Sequence, residues 1–167
     1  MLDWLSSKVA MSLAALLLLA GIVGFFLAQR DRAVHDALQD IADRAAAYID
    51  ALSESAGELA TSISVGSPMD PAAVAGLELP ALAAGEPYLL TLYRAYVVAG
   101  TDGDRAFAVL RVPIHFFEPG PGAYTSEGIA DLDAAHPSAT LGHGGLAVLS
   151  RRYITVDGAT RLETFVL

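Results

Sequence analysis

The sequence predicts an α+β protein: a long N-terminal helix, first transmembrane and then amphipathic, followed by a small antiparallel β-sheet head. Three observations predict it. Val9–Ala28 carries no charged residue. Apolar or small residues then recur at helical spacing as far as Ile63. Beyond Pro87 the pattern changes to short β-rich runs separated by glycine and aspartate turns.

Residues 1–28 form the first element. An uncharged helix as long as Val9–Ala28 spans about 30 Å at about 1.5 Å per residue, the thickness of a bilayer's hydrocarbon core. A cleaved signal peptide fits less well. Its apolar region is shorter, and a cut after Ala28 would put Phe26 at the −3 position, where a small residue is needed. We expect an uncleaved single-pass anchor in the cell membrane, with lipid as a partner. Ala20, Gly24 and Ala28 form a small-xxx-small row, a spacing that lets helix backbones pack closely in lipid. Positive charge flanks the anchor on both sides, Lys8 before it and Arg30 and Arg32 after it, so charge alone leaves the orientation open.

Residues 29–66 are expected to continue the same helix. Val34, Leu38, Ile41, Ala45, Tyr48, Leu52, Ala56, Leu59 and Ile63 follow in steps of three and four, the mark of one helical face. The face predicted to be buried is therefore Leu38, Ile41, Tyr48, Leu52, Leu59 and Ile63. Asp36, Asp40, Asp43, Asp50, Glu54 and Glu58 occupy the other side. Pro68 and Pro71 end the run, because proline cannot continue a helix. Residues 67–87 read as a proline-rich linker with a short helical turn over 72–76.

Residues 88–167 are the predicted head, with two hairpins. Tyr88–Ala99 is read as one strand, Gly100–Asp104 as a turn and Arg105–Phe117 as the returning strand. A short helix is expected over 126–135. Leu146–Val156 and Ala159–Leu167 pair across an Asp157-Gly158 turn. With a strand running up to Leu167, no output domain is expected after the head.

The chain has 167 residues and a net charge of −9. Asp3 and Lys8 cancel, so that charge lies beyond the anchor, which argues against nucleic acid as a partner. Cysteine is absent, which removes thiol catalysis, disulfides and zinc–thiolate sites. His115, His136 and His143, with Glu127, Asp131 and Asp133, do not have metal-ligand spacing, so no metal or other cofactor is expected. Gly142-His143-Gly144-Gly145 lacks the Lys-Ser/Thr ending of a phosphate loop. Asp102-Gly103-Asp104 is turn chemistry. Tyr88, Tyr93, Tyr96, Phe107, Phe116 and Phe117 read as sheet core. No constellation meets the requirements of a catalytic site or points to a small-molecule substrate, so an enzyme is not expected.

Several strings carry a resemblance: Ser6-Ser7-Lys8-Val9-Ala10-Met11, the ending Gly24-Phe25-Phe26, and Leu38-Gln39-Asp40-Ile41-Ala42-Asp43. Pro87-Tyr88, Val112-Pro113-Ile114-His115-Phe116, Val156-Asp157-Gly158 and Thr164-Phe165-Val166-Leu167 add to it. In these strings and in its lollipop plan the chain resembles archaeal type IV pilin-like small membrane proteins of pilus or secretion clusters. The resemblance implies a structural or accessory subunit that associates through its N-terminal helix with copies of itself and with other pilin-like subunits. It also implies a head outside the cell. Lys8 is not followed by a good leader-cleavage site, and the anchor lacks an internal glutamate, which points to an accessory subunit. The other reading is a single-pass binding module whose β head recognises a partner at the cell surface.

Overall fold

The computed structural model describes residues 2–67 and 76–167, with side chains from Lys8 onward. The helical turn predicted over 72–76 lies, except for Gly76, outside the described residues. Two compact units divide the chain, Met1–Val34 and His35–Leu167.

Helix α1 runs over Leu2–Ser53. Its N-terminal part is long and apolar enough to cross a membrane. Leu13, the leucines 16–19, Phe25 and Phe26 are exposed. Ala20, Gly24 and Ala28 lie on one exposed face, and no atom stands within 4 Å of where a Gly24 Cβ would be.

In the second unit α1 buries Leu38, Ile41, Ala42, Ala45, Ala46, Ile49 and Leu52. This corrects the predicted face in part. Leu38, Ile41 and Leu52 are buried as expected, but Tyr48 is only half-buried and Ile49 takes the core position beside it. Asp50, expected among the solvated acids, is buried and accepts the Arg111 backbone N–H at 2.9 Å. On the exposed side Arg44 pairs with Asp40 at 3.7 Å.

The helix stops well before Gly66. The end is fixed by tertiary partners: Arg151 Nη1 donates to the Leu52 carbonyl at 3.0 Å and Ser53 Oγ bonds Thr164 Oγ1 at 2.9 Å. A cation at the last free carbonyls suits a helix C-terminus. Leu59–Val65 is strand β1, not helix. A step of four satisfies both the helical and the strand period, so Leu59 and Ile63 fitted the wrong pattern. Leu59 is 51% exposed, while Ile63 is fully buried.

The remaining elements are β2 (Leu77–Leu79), β3 (Leu89–Tyr93), β4 (Tyr96–Gly100), β5 (Arg105–Val109), β6 (Ala123–Tyr124), α2 (Ser126–Ala135), β7 (Ser138–Leu141), β8 (Leu146–Val156) and β9 (Ala159–Val166). They form two sheets rather than one. The four-stranded sheet, ordered β5-β4-β3-β7, is antiparallel throughout. The five-stranded sheet is mixed, with β1·β2 and β6·β8 parallel. β8 is its hub: β9 pairs along one edge, and β1 and then β6 follow one another along the other. Part of the predicted linker is thus a strand, β2, and the folded unit begins at His35 rather than at residue 88.

The run Tyr88–Ala99 is two strands with a tight reversal at Arg94-Ala95, where Tyr93 pairs with Tyr96. It lacks the Gly, Asn, Asp or Pro that usually marks a turn. β5 ends at Val109, and the Arg111 N–H goes to Asp50 instead of a strand partner. The predicted helix 126–135 is α2, capped by Thr125, whose hydroxyl accepts the Gly128 N–H at 3.0 Å. Asp157, in the β8–β9 turn, accepts from the Ser126 hydroxyl and backbone N–H. Those two bonds, the hydroxyl's first, hold its carboxyl below the usual carboxylate range.

The two faces of the five-stranded sheet carry different cores. Tyr48 bonds Thr61 and Ser53 bonds Thr164 on the α1 side. On the α2 side Ile154, Val156 and Phe165 cluster with Phe117 and Ile129.

Tyr88 is buried and donates to the Pro80 carbonyl at 2.8 Å. Burial pushes its pKa from 10.0 up to about 12, against the opposing charge of Arg44. The folded value lies above the unfolded one, so the contribution is complete below pH 10 and disappears as pH rises to about 12. Tyr88→Phe is expected to flatten the loss of stability over that window and to cost about 1 kcal/mol at neutral pH through the missing hydrogen bond. Urea titrations from pH 8 upward check this. An unchanged alkaline slope in the variant would contradict it.

Candidate functional site

Two places in the head gather chemistry. The first is a partly buried polar cluster. His115 Nδ1 stands 2.8 Å from Asp133 Oδ1, and Arg94 Nη1 stands 3.1 Å from Asp133 Oδ2. His115 Nε2 faces Glu163 at 3.8 Å. A carboxylate only accepts, so Nδ1 carries the proton given to Asp133. The His115 ring lies among Phe117 and Phe165, and its side chain is 5% exposed.

A His–Asp pair can serve as a general base, but that role needs a free ring nitrogen in reach of a substrate. Here Nε2 faces Glu163, and the ring is buried between Phe117 and Phe165. The cluster instead joins α2, the β3–β4 turn, β9 and the segment around His115. That segment is itself pinned to β9, with the His115 N–H on the Thr164 carbonyl and the Val166 N–H on the His115 carbonyl.

The other predicted ligand candidates do not converge on it. The His136 N–H closes the C-terminus of α2, and His143 lies against Gly66 in the turn before β8. Among the described residues no group of three His, Asp or Glu side chains could hold a metal ion. Gly142-His143-Gly144-Gly145 is a tight turn: the Gly145 N–H bonds the Gly142 carbonyl and the Gly144 N–H bonds Val65. A Cβ on Gly145 would meet the Gly142 oxygen at 2.8 Å, so the position has no room for a side chain.

The second place is the outer face of the four-stranded sheet. Alternation puts Leu90, Leu92, Val97, Ala99, Ala106 and Ala108 inside. Tyr93, Tyr96, Val98, Phe107 and Val109 therefore share the outer face. There they line an open groove of about 550 Å³ with Arg105 and Ala95. Phe107 is 66% and Val109 69% exposed. Tyr93 and Tyr96 stack with ring centroids 4.6 Å apart.

This corrects the reading of the aromatic residues as core. Tyr88 and Phe117 are core, while Tyr96 and Phe107 are surface. Reading Tyr88–Ala99 as one strand hid the distinction, since a reversal in the middle changes which residues share a face. The register Tyr96↔Val109 and Val98↔Phe107 is what joins the four side chains.

No protein-family model, no curated protein and no solved structure matches this chain.

Proposed function

We propose that the protein is a single-pass, membrane-anchored binding module whose head takes its ligand on the outer face of β3–β5. The observation that carries this reading is the exposed, concave apolar face of Tyr93, Tyr96, Val98, Phe107 and Val109. Exposed apolar area concentrated in one groove marks an interaction site more often than scattered single residues do. The uncharged helix Val9–Ala28 supplies the anchor in this reading.

The absence of cysteine provides the test. Single cysteines at Val109, in the groove, and at Ala159, outside it, are labelled with a maleimide dye. Labelling is done in native membranes and after reconstitution into phosphatidylcholine nanodiscs. Val109→Cys should be protected in native membranes and become reactive after reconstitution, with Ala159→Cys reactive in both. Equal reactivity of Val109→Cys throughout would overturn the reading. Release of the chain by a carbonate wash would overturn the anchor.

One observation favours a second reading, that of a pilin-like subunit. Helix α1 presents an exposed apolar stretch with open space at Gly24, as association of α1 with copies of itself and with other pilin-like subunits would require. In that reading the head lies outside the cell, and Gly24→Leu weakens cross-linking between copies in the membrane.

A further inference from the structure

Resting on the binding-module reading, we propose that the β3–β5 groove binds a small molecule with an aromatic body and one carboxylate, the carboxylate held by Arg105. The groove's volume of about 550 Å³ suits a small organic ligand. Its floor is aromatic, with Tyr93 stacked on Tyr96 and Phe107 beside them. Offset or edge-on packing against such rings favours a flat aromatic partner.

Acidic residues outnumber basic ones 19 to 10 in this chain, yet among the described residues Arg105 is the only charged side chain lining the groove. The nearest acid in sequence, Asp104, is committed elsewhere. Its carboxylate lies 3.0 Å from His35 Nδ1 and accepts the Arg105 backbone N–H at 2.7 Å. The Arg105 guanidinium makes no ion pair among the described residues. A guanidinium beside apolar surface presents a planar fork to which a carboxylate bonds twice.

Gly100 sets the position of that fork. It pairs with Arg105 across β4–β5, and a Cβ there would lie 3.0 Å from Arg105 Cγ. The missing side chain leaves room for the arginine stem.

Two other occupants fit less well. An extended peptide adding to the β5 edge would meet the Phe107 carbonyl, which already accepts from Gln39 Nε2 at 3.2 Å. A second copy placed face to face would bring a lining that, among the described residues, has no acid to offer Arg105.

The test measures binding to the full chain in phosphatidylcholine nanodiscs by equilibrium dialysis. The probe is 1-naphthaleneacetate, and its neutral isostere 1-naphthaleneacetamide is the control. The carboxylate should bind about 10-fold or more tightly than the amide, as expected for hydrogen bonds to a charged group. Arg105→Gln should abolish that preference and leave amide binding and the melting temperature unchanged. Arg105→Lys should keep part of it. Gly100→Ala should reduce it without altering amide binding, and Phe107→Ala should weaken both ligands.

Equal binding of acid and amide, or an unchanged preference in Arg105→Gln, would overturn the proposal. So would a dimer in nanodiscs that Phe107→Asp dissociates, because the face would then belong to a second copy. If Val109→Cys is protected in native membranes but the preference is absent, the ligand class is wrong and the binding module stands. If both fail, the groove is not a binding site.

Discussion

Asp133→Ala should remove about 1–3 kcal/mol from the stability of the head, the usual effect of leaving a buried hydrogen-bonding group without its partner. Asp133 is the acid on which His115 and Arg94 converge, and its side chain is 8% exposed. Without it, His115 keeps only Glu163, at 3.8 Å, and α2 loses its polar tie to the β3–β4 turn. Asp131→Ala, an exposed change on the same helix, should stay within about 0.5 kcal/mol. Urea unfolding of the full chain, followed by far-ultraviolet circular dichroism, separates the two. Removing both buried polar side chains in His115→Phe/Asp133→Leu should recover part of the loss, because neither is then left without its partner. Arg94, about half exposed, can turn to water. Equal losses for Asp131→Ala and Asp133→Ala would show that the cluster contributes nothing particular.

Ile49→Asp should have a larger effect and leave no cooperatively folded head. Ile49 is fully buried where α1 meets the sheets, and an unpaired carboxylate there has no partner to offset its lost hydration. Domains are stable by about 5–15 kcal/mol, so one such change can use up the margin. Ala47→Asp, two residues earlier and exposed, should shift stability by about 0.5 kcal/mol at most. Loss of the cooperative thermal transition in Ile49→Asp alone is the expected result. A normal transition in that variant would place the core elsewhere.

Much of the fold could be read from local pattern. The uncharged run, the helix 126–135 capped by Thr125, and the Asp157-Gly158 hairpin each carry their own signal, and the structure has all three. What could not be read depends on partners distant in sequence. Leu59 and Ile63 obey the helical period, but pairing with β8 draws them into a strand. Asp50 reads as a surface acid until Arg111 supplies a backbone N–H to it. The reversal at Arg94-Ala95 has no turn residue, so its apolar flanks read as one strand. The candidate site was hidden for the same reason. Its outer face exists only once β4 is paired with β5 in the observed register. The His115–Asp133 pair joins residues from two segments that sequence spacing does not connect.

The hub position of β8 also governs the order in which the head can assemble. β1 pairs Leu59 with Arg151 and Ser64 with Leu146, so its antiparallel partner is made long after β1 itself. While the ribosome works through the middle of the chain, β1 has only the three-residue β2 beside it. The β3–β5 meander can close early, because its contacts are local. The five-stranded sheet must wait for β8 and β9, and such distant pairings make folding slow. During that interval the apolar surface that β8 and β9 will cover stays open, which raises the risk of aggregation. A synonymous-codon change that slows translation between residues 110 and 145 should therefore lower the yield of folded protein, although it alters no amino acid.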